Sequence, residues 1–374
     1  MQIQRLALTN FRNYAHQVWK PRHRISVLTG ENGAGKTNVL EAVSLLAPGR
    51  GLRGASLTQL ALHGASEWGV AAQVLAGGML VDLGTGNDLK GGTRRVFQLD
   101  AQSVRSQGDI AQFFSCVWIT PQMDRLFTDP GSARRRFLDR LVVALNPQHA
   151  RELAAHERAV AQRNRLLAER PGETAWLAAA EDSMTRHAIA ITASRMALVD
   201  GMNHTAGDVP GFPRSDLALI CPIGTQLASG SALQAEDWLR EKLRASRDDD
   251  RMRSGSRWGA HRADLGLTDR ASGRSADQSS SGQQKAMLLG VVLSHAELIA
   301  RQRGDPPIIL LDEPLVHLDA RRREALLAAL PDLEASVMLT GTDRPLFESL
   351  EGRAAFHRVS DNRLSDDSFP ESSI

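Results

Sequence analysis

Apolar and polar positions along the chain follow two periods. Short unbroken apolar runs, bounded by glycine, proline or charge, occur at 25–29, 115–120, 306–311 and 335–340, the pattern of strands buried on both faces. Ile3, Leu6 and Leu8 fall near strand spacing, the pattern breaks over 10–14 and resumes over 16–19, which predicts two strands joined by a turn. Further strand candidates lie at 69–75 and 95–99, among glycine-rich turns, and at 217–220. Helical spacing governs 38–46, 132–145, 147–205, 232–243, 284–293 and about 320–330. Ser132 is placed to cap the second of these, and Asn146-Pro147 to end it. The third is split at Arg170-Pro171-Gly172 and predicts a helical hairpin, too short and interrupted for a long coiled coil. Residues 246–256 read as a charged linker and 365–374 as a polar, mobile tail.

Two of the buried-strand candidates end in chemistry. Strand 25–29 runs into Gly30-Glu31-Asn32-Gly33-Ala34-Gly35-Lys36-Thr37, a G-x-x-x-x-G-K-T loop that opens a helix. Gly30, Gly33 and Gly35 let backbone N–H groups turn inward around a phosphate, with Asn32 in the loop and Asn38 just past it. Lys36 brings a point charge to the β and γ oxygens, and the Thr37 hydroxyl can ligate Mg²⁺. The run at 306–311 ends in Asp312-Glu313, where Asp312 would hold the metal, directly or through water, and Glu313 would accept a proton from the attacking water. Together they imply an ATP site with Mg²⁺.

Composition narrows the class. A chain of 374 residues has room for about two to three average domains. The net charge of +2 excludes a basic tail or histone-like coat. Lysine is confined to Lys20, Lys36, Lys90, Lys242 and Lys285, so positive charge is almost all arginine, which suits bidentate phosphate contacts; genome base composition explains most of these arginines equally well. Arg50 and Arg53, just past the first helix, are placed to reach a triphosphate or DNA, or to sit in an exposed loop. Cys116 and Cys221 stand apart without metal-ligand spacing, no run is long enough for a membrane span, and the start lacks a signal-peptide pattern. A soluble cytoplasmic protein is expected.

Asn10-Phe11-Arg12-Asn13-Tyr14, the Gly-Lys-Thr loop with Asn38-Val39-Leu40-Glu41-Ala42, and Arg134-Arg135-Arg136-Phe137-Leu138-Asp139 resemble the RecF family, related to SMC and ABC ATPases. Gly259-Ala260-His261-Arg262-Ala263-Asp264-Leu265 resembles a further signature of that family, with alanine at 260 in place of proline; no catalytic role is assigned to His261. By this resemblance Ser280, Gly282 and Gln283 match the ABC signature Ser-x-Gly-Gln, Asp319 the D-loop, and Gln122 the residue that senses the γ-phosphate and metal. The family more often has glutamate at that last position. Transporter ATPases place a switch histidine after their last central strand, where this chain has Gly341-Thr342-Asp343. The three arginines at 134–136, near a helix start, are opposed by its dipole and invite an anionic partner.

The resemblance implies an α/β fold: an ABC/SMC-type P-loop ATPase head, with a mixed central sheet, flanking helices and antiparallel strands, plus an inserted, mostly helical arm domain. The head is expected at 1–130 and 255–364, the insertion at 131–254. It also implies ATP-dependent dimerisation on DNA, with each signature completing the partner's site, weak DNA-stimulated ATP hydrolysis, and cooperation with RecR in loading RecA at gaps. The rival readings are an ABC transporter ATPase subunit and a scaffold that binds nucleotide without turning it over.

Overall fold

The computed structural model describes residues 1–87, 95–104, 107–204 and 209–367. Two compact units emerge, one of Met1–Arg125, Ala206–Arg214 and Ser279–Ile374, the other of Leu126–Thr205 and Ser215–Gln278.

The first unit opens with strands β1 (Gln2–Phe11), β2 (Tyr14–Trp19) and β3 (Ile25–Thr29), then helix α1 (Lys36–Leu46) and the single turn α2 (Leu57–Leu60). Strands β4 (Gly69–Ala76), β5 (Met79–Asn87), β6 (Arg95–Leu99) and β7 (Gln102–Ser103) follow, then α3 (Gln107–Phe113) and β8 (Cys116–Ile119). A 3-10 turn, Pro121–Arg125, ends this stretch.

The second unit holds α4 (Gly131–Leu145), α5 (Gln148–Glu169), α6 (Thr174–His204), β9 (Ser215–Ile220), α7 (Pro222–Ser229), α8 (Ala232–Ala245), α9 (Arg247–Met252) and β10 (Asp264–Asp269). The chain returns to the first unit for α10 (Ser281–Arg303), β11 (Ile308–Leu311), α11 (Ala320–Ala329), β12 (Val337–Gly341), β13 (Ala355–Ser360) and β14 (Arg363–Asp366).

Two sheets build the first unit. One runs β2-β1-β4-β5-β6-β7, antiparallel throughout; the other runs β14-β13-β3-β12-β11-β8, parallel except for the β13–β14 hairpin. All residues of β3, β8, β11 and β12 are buried, which explains why these strands read as unbroken apolar runs. A parallel sheet of this kind gathers its functional groups beyond the carboxyl ends of its strands. Here those ends carry Gly30, Asp312, Gly341 and the turn after β8.

Several sequence expectations need revision. The insertion limits of 131 and 254 differ from the compact units, because β10, expected in the head, pairs with β9 along its whole length, from Asp264 opposite Ile220 to Asp269 opposite Ser215. Ser132 lies inside the first turn of α4, with Pro130 at the cap position. The expected linker contains α9, since Asp250, in a charge run that reads as solvated, is almost fully buried. The hairpin β13–β14 takes in the first residues of the expected tail; residues 368–374 of that tail lie outside the described residues.

The two signature stretches of the second unit bind one another. Arg134 forms a two-pronged pair with Asp264 (Nε and Nη2 at 2.8 Å from its two oxygens), and Arg135 donates to the Ala263 carbonyl at 2.8 Å. Asp139 accepts both prongs of Arg195 at 2.8 Å, and Arg195 also donates to the Ala260 carbonyl at 2.6 Å. Two of the three arginines thus find an acceptor inside the unit, and Arg136 is exposed. Deeper in, Arg163 of α5 donates to Glu181 of α6 (3.0 Å), Asp250 (2.8 Å) and the Leu243 carbonyl (2.7 Å) with none of its surface exposed. Glu181 also takes Arg247 at 2.6 Å.

This unit carries a pH dependence. Burial pushes the His156 imidazole down to about 3, helped by the adjoining His261, whose ring centroid is 5.5 Å away and whose own pKa is lowered by burial. The unfolded chain binds a proton at an ordinary histidine pKa of about 6.5, and the folded chain refuses it until far lower pH. The His156 contribution to stability therefore falls as pH drops below about 6.5, by about 1.4 kcal/mol per pH unit, and is constant above it, with His261 acting in the same direction. Thermal unfolding of the full chain is expected to shift down between pH 7.5 and 5.0, and His156→Leu to lessen that shift; an undiminished shift would count against His156 as its source.

Candidate nucleotide site

The loop after β3 wraps tightly. Gly30 has φ 147° and a Cβ there would lie 2.2 Å from the Val359 carbonyl oxygen of β13; at Gly35, φ 111°, it would lie 2.3 Å from Asn13 Nδ2. Only glycine fits either position. Asn13 fastens the loop from the β1–β2 turn: its Nδ2 donates to the Ala34 carbonyl at 3.1 Å, and its Oδ1 accepts from Asn38 Nδ2 at 2.6 Å. The Tyr14 hydroxyl donates to the Gly35 carbonyl at 3.1 Å, and burial pushes its pKa up. Asn32 and Gly33 are exposed at the crest.

Lys36 is turned back into this loop. Its Nζ donates to the Gly30 carbonyl at 2.6 Å and to that of Glu31 at 2.9 Å. Burial lowers its pKa, against the attraction of the carboxylates Glu313, Asp312 and Asp343 near the ends of neighbouring strands. Its neighbour Thr37 donates its hydroxyl to Asp312 Oδ1 at 2.8 Å, joining the Gly-Lys-Thr loop to the strand that ends in Asp-Glu. Thr340, at the end of β12, donates its hydroxyl to the same oxygen at 2.8 Å and accepts the Glu313 backbone N–H at 2.8 Å. Asp312 is buried, Glu313 partly open.

Around this centre the remaining candidates divide. Gln122 is exposed on the 3-10 turn after β8. Ser280 caps α10: its hydroxyl accepts the Gln283 N–H at 3.3 Å while Gln283 Oε1 accepts the Ser280 N–H at 3.0 Å. Asp319 caps α11, accepting the Arg322 N–H at 2.9 Å. Arg53 does not stand free as a loop arginine: it donates to Asn38 Oδ1 at 2.6 Å and pairs with buried Glu41 at 3.3 Å, and Arg12, at the turn, pairs with Glu41 through two bonds of 2.8 and 2.7 Å. Of the residues that touch Asp312, sequence reading missed Thr340 as a site residue. It is one more threonine at a strand end, and only its spatial place beside Asp312 singles it out.

Parallel strands feeding a Gly-Lys-Thr loop, an Asp-Glu strand end and a serine-capped helix define an SMC-type ATPase head. The family model for the RecF/RecN/SMC N-terminal domain matches residues 2–361. The DNA replication and repair protein RecF of Mesorhizobium japonicum is 42% identical over 364 residues, covering 96% of this chain and 96% of its own. That of Brucella abortus is 39% identical over 369 residues, 97% and 96% covered. Among solved structures, that of the recombination mediator protein RecF-ATPrS in the RecFOR pathway superposes with a TM-score of 0.85 at 21% identity, covering 98% of each chain. An Smc head domain from Pyrococcus furiosus gives 0.53 at 13% identity, covering 98% of this chain and 96% of that one. The chain belongs to the RecF family of DNA replication and repair proteins. That membership sets aside the transporter-subunit reading. Among the described residues, no helix is long and apolar enough to cross a membrane.

Proposed function

We propose that this protein is an ATP-dependent DNA-binding ATPase of recombinational repair and replication-fork maintenance, acting in the cytoplasm on nucleoid DNA. The observation that carries the reading is the Thr37–Asp312 contact beside Lys36, which joins the start of α1 to the carboxyl end of β11. Among the described residues no cluster of three or more His, Cys, Asp or Glu could hold a metal. A hydroxyl and one carboxylate, supplemented by phosphate oxygens, instead suit a hard divalent cation such as Mg²⁺. Thr37 and Asp312 would hold it, with Gln122 as the third protein group, and bound there it would neutralise charge on the β and γ oxygens.

The chain's own residues do the rest. The loop's N–H groups and Lys36 cradle the triphosphate, with Gly30, Asn32, Gly33, Gly35 and Asn38 framing it. The partly open Glu313 accepts the proton of the attacking water, while buried Asp312, whose Oδ1 takes the Thr37 and Thr340 hydroxyls, is left to the metal. Ser280, Gly282 and Gln283 stand at the start of a long helix whose dipole favours an anion. We assign them, with Asp319, to the nucleotide of a second copy of the chain, so that ATP promotes a dimer and hydrolysis releases it. Solved RecF-ATP and RecF-ATPrS structures support ATP as the ligand. The family likeness supports double-stranded DNA near gaps as substrate, bound without regard to sequence, slow DNA-stimulated turnover, and cooperation with RecR in loading RecA.

Light scattering of the Glu313→Gln variant with Mg²⁺ and ATP, with and without a short duplex, tests the assembly. The expected result is a monomer-to-dimer shift that needs ATP and is strengthened by duplex, with DNA affinity falling as salt rises. A monomer under every condition would overturn the clamp.

A further inference from the structure

Lys285 lies in the second turn of α10, five residues past Ser280, and has no exposed surface. A lysine in such a place needs partners. It has two: its Nζ donates to the backbone carbonyl of Glu313 at 3.2 Å and lies 3.6 Å from Asp124 Oδ2. Asp124 sits two residues past Gln122 on the 3-10 turn. The same Oδ2 receives His317 Nδ1 at 3.0 Å, from the turn between β11 and α11, and the other oxygen, Oδ1, is buried without a hydrogen-bond partner among the described residues.

The target of Lys285 is unusual. Glu313 has φ 48°, left-handed backbone that non-glycine residues adopt only when their surroundings enforce it. Both of its peptide groups are held: the N–H by the Thr340 hydroxyl, the carbonyl by Lys285. His317, φ 65°, is left-handed as well, and its carbonyl oxygen packs on Gly282, where a Cβ would lie 2.8 Å from it. The turn that carries Glu313 is therefore clamped on one side by β12 and on the other by the serine-capped end of α10.

We propose that Lys285 is a positioning residue for hydrolysis: by gripping the Glu313 carbonyl it sets the direction of the Glu313 carboxylate and ties that direction to the placement of the Ser280–Gln283 helix start. Asp124 is its counter-charge, and makes the grip depend on the 3-10 turn that presents Gln122. A chain whose helix start is displaced loses the aim of its own proton acceptor, so engagement of Ser280 and turnover at Lys36 of the same chain become linked. The inference rests on Glu313 being that acceptor.

Steady-state ATPase kinetics and fluorescent-nucleotide titration of the full chain test it, with Glu313→Gln, Lys285→Met, Lys285→Arg and the double variant Lys285→Met/Asp124→Leu. Lys285→Met is expected to lower kcat at least tenfold with KM and nucleotide affinity within about twofold, and Lys285→Arg, which keeps the donor, to recover part of the loss. The double variant removes both buried charges, so a purely structural role predicts that kcat returns with the melting temperature. Positioning predicts a folded protein whose kcat stays low. An unchanged kcat in Lys285→Met, or its return in the double variant, overturns the inference. Normal turnover in Glu313→Gln would instead remove the proton acceptor, and the functional reading beneath it.

Discussion

Lys36→Ala is expected to weaken ATP binding by at least 100-fold while leaving the protein folded. The ammonium now satisfies two loop carbonyls, at 2.6 and 2.9 Å, and both belong to the stretch that has to surround a triphosphate. Binding exchanges these neutral acceptors for phosphate oxygens, and hydrogen bonds between ionised groups are worth about 1.5–3 kcal/mol each. Two such bonds account for 100-fold or more. Alanine leaves the Gly30 and Glu31 carbonyls without that donor, but Glu31 already accepts the Ala34 N–H and the loop crest is open to water, so the cost to folding is small. Titration with a fluorescent ATP analogue measures the first effect and a melting curve the second. Affinity within a few-fold of the parent would mean that the triphosphate binds elsewhere.

Glu313→Gln should leave ATP affinity intact and reduce turnover by about 10² to 10⁴, the usual range for loss of a proton acceptor. Glutamine matches glutamate in shape, and the backbone anchors of residue 313, the Thr340 hydroxyl and the Lys285 ammonium, do not depend on its side chain. The variant therefore separates chemistry from architecture. With turnover blocked, an ATP-held dimer should outlive that of the parent, which gel filtration after nucleotide removal measures. If both hydrolysis and dimer lifetime stayed at parental values, the proton acceptor would have to be sought at another residue.

How far the sequence could be read follows from which signals are local. The Gly-Lys-Thr loop, the Asp-Glu strand end and the serine cap each lie within one short segment, flanked by the strand or helix that the chemistry requires, and all were legible. Strands β3, β8, β11 and β12 were legible for the same reason, since burial on both faces leaves no polar position to blur the run. Groups that matter only through long-range contact were not. Asp250 sits in a run of acids that reads as solvated, and nothing nearby announces Arg163, 87 residues earlier, as its partner. Arg134 looked like an invitation to an external anion until Asp264, 130 residues away, proved to be its acceptor. Helix α7 and the β13–β14 hairpin are short elements with mixed patterns, stabilised by the neighbours they pack or pair with.

The buried Arg163 cluster has a mechanical meaning. Hydrophobic faces of two antiparallel helices tolerate slippage, because one apolar contact replaces another. A slip of α5 along α6 by one turn, about 5.4 Å, would carry Arg163 away from Glu181, Asp250 and the Leu243 carbonyl together and strand its charge in a dry interior. Stranding a buried charge costs about 3–5 kcal/mol, a large share of the roughly 5–15 kcal/mol stability margin of a folded domain. The hairpin is pegged at one setting, and under load it should serve as a strut of fixed length, yielding by unfolding and not by sliding.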